Sequence, residues 1–172
     1  MVMSDKNKTI LFSQKEIEEF SKKVAYTLDA HYEDIGHKLV LAPILQGAIP
    51  FFSEIAKNMT LDCLVDTVGL KSYRGKVQGD FDVYKDFSLD LKGKHVWLID
   101  DIADSGKTLE YLTRIVMDRG AYAVRTCTLL KRKGCPIELT MCGKEIDDEW
   151  CVGFGMDNED GMGRTLNNII AI

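Results

Sequence analysis

Apolar residues between positions 13 and 32 recur at three- and four-residue spacing, at Ile17, Phe20, Val24 and Leu28. That is the period of one helix face. Ser13, with Glu16 three residues on, has the pattern of a capping box, so a helix is predicted from Ser13 to Tyr32. The pattern then changes. Leu39–Leu45 is an unbroken apolar run, too short for a helix and suited to a buried strand, and it ends in Gln46-Gly47. A second helix is predicted over about Pro50–Met59, and a strand over Leu61–Leu70. From Lys71 to Asp90 the chain is polar and charged. An excursion of that length in a compact domain is expected to be a mobile functional loop or a hairpin.

The clearest unit begins at Lys94. His95–Asp100 reads as a strand through Val96, Trp97, Leu98 and Ile99, and Asp101–Ser105 as a loop. A helix follows from about Gly106 to Arg119, with Leu109, Leu112, Ile115 and Val116 on its inner face and Gly120 as its stop. Ala123–Leu130 is the next strand, and Trp150–Gly155 and Ile169–Ile172 are shorter late ones. Strand, loop, helix and strand in this order predict parallel βαβ units, that is, an α/β fold with a Rossmann-like parallel sheet flanked by helices. No repeat or low-complexity linker divides the chain, and 172 residues suit one domain spanning 1–172.

Composition narrows the function classes. Acidic residues outnumber basic ones 27 to 22, for a net charge of -5. This disfavours a broad nucleic-acid or anionic-membrane footprint but leaves room for a small anionic substrate. No run approaches the roughly 18 apolar residues of a membrane span, and the first nine residues are polar, so a cytoplasmic protein is expected. The five cysteines are odd in number and lack CxxC spacing, which points to reduced thiols and away from a zinc site.

Ligands of open α/β sheets bind at the carboxyl ends of the strands. Here that end carries Asp100-Asp101-Ile102-Ala103-Asp104-Ser105-Gly106-Lys107-Thr108. The helix start offers free N–H groups and a positive partial charge to a phosphate, Gly106 lets the backbone approach, and Ser105 and Thr108 add hydroxyl donors. Ser105-Gly106-Lys107-Thr108 has the look of a P-loop tail, but Asp101 stands where that motif needs its first glycine. Helix capping accounts for one carboxylate. It does not account for an adjacent pair ending a buried strand, because such a pair repels itself unless a ligand or metal compensates it. Paired carboxylates before a phosphate cradle suit a ribose phosphate.

The segment Trp97–Leu109 resembles the 5-phosphoribosyl 1-pyrophosphate (PRPP) motif of type I phosphoribosyltransferases. Leu70-Lys-Ser-Tyr-Arg-Gly75, Leu129-Leu-Lys131-Arg and Trp150-Cys-Val-Gly-Phe-Gly-Met-Asp157 resemble further segments of the hypoxanthine-guanine branch, in the family's order. The resemblance implies a type I phosphoribosyltransferase fold with a small hood from the N- and C-terminal segments, a mobile lid at about 71–90 and the hood at about 135–172. It implies a purine salvage enzyme that joins hypoxanthine, guanine or xanthine to ribose 5-phosphate, with Mg2+, as a homodimer or homotetramer.

The implied roles fall on named residues. Asp100 and Asp101 would hold the ribose hydroxyls, partly through magnesium, and Asp104 would exchange a proton with purine N7. Asp104, Ser105, Gly106, Lys107 and Thr108 would bind the 5′-phosphate. Gln46, Gly47, Ser72, Tyr73 and Arg164 would meet the pyrophosphate. Lys131 would donate to the 6-oxo group, Trp150 would stack on the base, and the Cys151 backbone would meet its edge. Asp157 would help to place a metal.

Two departures stand out. The family's Leu-Lys-Gly-Gly is Leu45-Gln46-Gly47-Ala48 here, and Asn158 replaces an aromatic residue after Asp157, with Arg164 seven residues on instead of about six. The Leu45-Gln46-Gly47 pattern permits a cis peptide there. Rival readings are a non-catalytic PRPP or nucleotide sensor, an RNA-binding relative, and a transferase for pyrimidines.

Overall fold

The computed structural model describes residues 9–72 and 81–172, with Ser72 described by its backbone alone. The first helix, α1 (Gln14–Tyr32), starts where the capping box placed it. The Ser13 amide donates to Glu16 Oε2 at 2.8 Å, and the Glu16 amide to Ser13 Oγ at 3.3 Å. Strand β1 (Thr9–Phe12) precedes it, and β2 (Leu39–Leu45), α2 (Ile49–Ala56), β3 (Leu64–Val65), β4 (Val68–Ser72) and β5 (Phe81–Lys85) follow. The second half holds β6 (His95–Ala103), α3 (Lys107–Asp118), β7 (Ala123–Arg132), β8 (Met141–Ile146), β9 (Cys151–Val152) and β10 (Ile169–Ala171).

The main sheet runs β5-β4-β2-β6-β7-β8, with β3 also paired to β2; every pairing is parallel except the antiparallel β4–β5 pair. Alternation along the central strands sends side chains to two cores. Leu39 and Leu41 of β2 and Trp97 and Ile99 of β6 meet Ile17, Val24 and Leu28 of α1 and Phe51 and Ile55 of α2. Val40, Ala42, Val96 and Leu98 meet Leu109, Leu112 and Val116 of α3 on the other face. Burial on both faces explains why these strands read as continuous apolar runs. A second sheet, β1-β10-β9, is antiparallel and joins the N- and C-terminal segments. This is the α/β architecture with a hood that the resemblance implied.

The structure differs from the sequence expectation in three places. The strand expected over Leu61–Leu70 is split in two by Asp66. Its buried carboxylate accepts hydrogen bonds from the amides of Thr67, Ser88 and Leu89 at 2.8, 2.6 and 2.9 Å, which a continuous ladder would not leave to it. Strand β6 runs on to Ala103, through residues expected to be loop, because Ile102 and Ala103 pair with Leu130 and Lys131. Strands β1 and β8 were not anticipated; β8 lies at the sheet edge and lacks a continuous apolar run. The excursion after β4 is in its described part a hairpin strand, β5.

Candidate active site

Two cavities open at the carboxyl ends of the central strands and share Ile102 and Asp104. The first, about 240 Å³, is walled by Asp100, by the run 102–109 and by Phe81 from β5. Helix α3 begins here. Its N-cap, Gly106, has φ 78°, a left-handed conformation that glycine accepts without a Cβ clash. A Cβ at Gly106 would also crowd Ile137 and Cys135. The first turn of α3 therefore presents its amides, with Ser105, Lys107 and Thr108, to the cavity.

Asp100 is buried at the end of the β6 core segment. Burial and the neighbouring Asp101 carboxylate push its carboxyl well above the ordinary aspartate range. Burial also raises Asp101, against a hydrogen bond with Asp100, its own and the Ile102 amide, and the charge of Arg164. The Asp101 amide donates to Asp100 Oδ1 at 3.0 Å, and the Ile102 amide to Asp101 Oδ1 at 2.8 Å. Neither carboxylate has a salt-bridge partner among the described residues.

The Gln46-Gly47 turn lies directly against this pair. A side chain on Gly47 would overlap the Asp101 carboxylate, and one on Gly155 would overlap the Gly47 carbonyl. The Leu45–Gln46 peptide is cis, as the residue pattern permits. The Tyr84 hydroxyl of β5 donates to the Leu45 carbonyl at 3.4 Å.

The second cavity, about 230 Å³, is lined by Asp101, Ile102 and Asp104, by Arg132 at the end of β7, and by Trp150, Cys151, Met156 and Asp157. Trp150 is half exposed, so its ring is open to a ligand. Burial pushes the Cys151 thiol up to about 11, against the charge of Arg132, so it stays protonated near neutral pH. Asp157 Oδ2 accepts a hydrogen bond from Arg164 Nη2 at 2.7 Å, and Arg164 Nη1 also donates to the Gly155 carbonyl.

A family model for the phosphoribosyl transferase domain matches residues 11–159. The chain belongs to this family. The hypoxanthine-guanine phosphoribosyltransferase of Lactococcus lactis is 35% identical over 156 residues, covering 88% of this chain and 84% of the relative. The enzyme of that name from Streptococcus pneumoniae is 33% identical over 158 residues, covering 89% and 87%. Among solved structures, a hypoxanthine phosphoribosyltransferase from Staphylococcus aureus superposes with a TM-score of 0.87 at 28% identity, covering 95% of this chain and 90% of that one.

Within this phosphoribosyltransferase site, the structure brings together the Asp100–Thr108 run, Gly47, Trp150, Cys151, Asp157 and Arg164. Ser72 ends β4, its side chain is outside the described atoms, and Tyr73 is outside the described residues. Lys131 is not among the residues lining either cavity, whereas its neighbour Arg132 lines the second. In the register, Ile102 pairs with Leu130 and Ala103 with Lys131, which leaves Arg132 as the last residue of β7. Arg132 Nε forms an ion pair with Asp104 Oδ1, and its Nη1 donates to the carbonyls of Asp147 and Glu149 at 2.9 and 3.1 Å. It thereby ties the β7 end to the loop that carries Trp150.

Among the described residues no cluster of three or more His, Cys, Asp or Glu side chains is placed to hold a metal alone. All five cysteines are free, and no described helix is long and apolar enough to cross a membrane.

Proposed function

We propose that this protein transfers the 5-phosphoribosyl group from PRPP to a 6-oxopurine, hypoxanthine or guanine with xanthine as a third candidate, giving the nucleoside monophosphate and pyrophosphate. The observation that carries the reading is the meeting of the two cavities at Asp104. One has Asp100 and a helix N-terminus for ribose 5-phosphate; the other has the adjoining Asp101, an aromatic ring and a guanidinium for a flat base bearing a carbonyl. The names of the curated relatives support the same reaction.

In this mechanism the C1′–oxygen bond to pyrophosphate breaks and a bond from C1′ to the base nitrogen forms. The amides from Ser105 to Thr108 hold the 5′-phosphate. Asp100 and Asp101 orient the ribose hydroxyls, and Asp104 exchanges the purine N7 proton. Arg132, a donor-only group, reads the 6-oxo oxygen; adenine offers an amino donor there and is refused. Lys131 has no direct part in this reading. Trp150 stacks on the base, and the Cys151 backbone meets its edge. Gln46, Gly47 and Arg164 face the departing pyrophosphate, with Ser72 and Tyr73 at the lid.

The adjacent oxygen donors of Asp100 and Asp101, whose charged forms are disfavoured by burial, fit Mg2+. That ion takes one or two carboxylates plus substrate phosphates in preference to an all-protein cage. Bound there, it supplies charge neutralisation to the leaving pyrophosphate. Asp157 is a third carboxylate that we assign to metal placement, in exchange with its Arg164 partner. A cytoplasmic homodimer or homotetramer completes the proposal.

Incubation with PRPP, Mg2+ and hypoxanthine or guanine, followed by mass spectrometry, tests the reaction. The nucleoside monophosphate should appear in step with pyrophosphate. PRPP binding without product from any base would favour the sensor reading.

A further inference from the structure

A third cleft, about 400 Å³, lies between α1 and the β7–β8 edge, near the amino end of β7. Arg125 lines it and Arg132 lines the purine cavity. Seven residues of strand separate them, roughly 23 Å. In a chain of net charge -5 this cleft collects basic side chains: Lys23 and His31 from α1 and Arg125 from β7 line it, and no carboxylate does. None of the three enters an ion pair among the described residues.

The guanidinium is held in place from behind. Arg125 Nη1 donates to the Tyr32 hydroxyl at 2.9 Å, and that hydroxyl also accepts from Trp97 Nε1 at 3.0 Å. Tyr32 and Trp97 are both buried, so Arg125 is pre-set by the core and loses little freedom on meeting an anion. The local positive potential reaches His95, which burial, Arg125 and Lys38 hold below its ordinary range. The rest of the wall is Phe20, Trp97 and Met141, which are apolar, with Thr27, Thr140 and Cys142. A cavity of this size with convergent polar groups on an apolar wall has the features of a small-molecule site.

We propose that this cleft is a second binding site, remote from the transferase centre, for a phosphorylated planar compound of the nucleoside monophosphate class. Lys23, His31 and Arg125 hold the phosphate, and the Phe20–Met141 wall takes the flat ring. The assignment does not depend on the reaction proposed above.

Adenosine 5′-monophosphate is the probe, followed by NMR of the His31 ring and the Arg125 Nε–H. Saturable shifts at both are expected. Lys23→Gln and Arg125→Gln should each weaken the affinity about tenfold, the scale of one lost charge-assisted hydrogen bond. Asp100→Asn, at the other end of the sheet, should leave it unchanged. Inorganic phosphate should bind at least about tenfold more weakly, lacking contact with the apolar wall. Absence of shifts at His31 and Arg125, affinity insensitive to Lys23→Gln, or loss of the shifts in Asp100→Asn would each overturn the assignment. Lys23 supports no core contact that Arg125 has, so its variant reads the site even if Arg125→Gln fails to fold.

Discussion

The cavity proposed for ribose phosphate takes all but one of its described lining residues from Asp100 and the run 102–109. The cavity proposed for the purine draws on three separate stretches: the end of β6, Arg132 at the end of β7, and the loop from Trp150 to Asp157. The first is one strand end feeding one helix start, so its geometry follows from local backbone physics. The second exists only once β6 and β7 are in register and the C-terminal segment has folded back. Chemistry held by neighbouring residues can be read from a sequence, whereas chemistry held by the pairing of distant strands cannot be read from residue types alone.

This contrast can be broken first at Asp104, which both cavities share. Asp104→Asn is expected to lower kcat about 100- to 10,000-fold, the range of a lost general acid–base group. PRPP affinity by calorimetry should stay within about threefold, a change of less than 1 kcal/mol. Full turnover in this variant would remove Asp104 from the chemistry.

The next effect separates Arg132 from Lys131. Arg132→Met should reduce kcat/KM for hypoxanthine about 10- to 150-fold, the scale of a hydrogen bond to a charged group. Steady-state kinetics of Lys131→Met should change less than about twofold, as for a side chain outside the cavity. The opposite ranking would restore the lysine as the base reader.

At the phosphate cradle, Gly106→Ala forces a Cβ into a left-handed conformation and against Ile137. A loss of about 1–2 kcal/mol of stability is expected, seen in urea titration, together with weaker PRPP binding.

The smallest effect is a pH slope. Asp100 is raised in the folded state by burial and by Asp101, so the folded protein binds more protons than the unfolded chain above the ordinary aspartate pKa. Its contribution to stability is therefore present in acid and is lost as pH rises above about 4 towards the raised value. Asp100→Asn should flatten that slope in thermal melts while weakening PRPP binding. An unchanged slope would place the burden on another group.

The legible and illegible parts of the fold divide along the same line. The cap at Ser13, the apolar runs of β2 and β6, the inner face of α3 and the stop at Gly120 are local signals, and each element is present. Strand β8 was missed because an edge strand needs no continuous apolar run, and β1 because its pairing with β10 joins opposite ends of the chain. Asp66 interrupts a run that reads as one strand, and its partners Ser88 and Leu89 lie more than twenty residues away. The run of three basic residues, Lys131 to Lys133, gives no hint that Arg132 is the one lining the second cavity, because that depends on where β7 ends against β6 and the loop after Glu149.

The most direct test is a set of initial rates with PRPP and Mg2+, offering hypoxanthine, guanine, xanthine and adenine in parallel to the unaltered protein and to Arg132→Met. The account predicts turnover of 6-oxopurines but not adenine, and a narrowed gap between them in the variant. Equal use of adenine by the unaltered protein, or the same selectivity in both proteins, would contradict it.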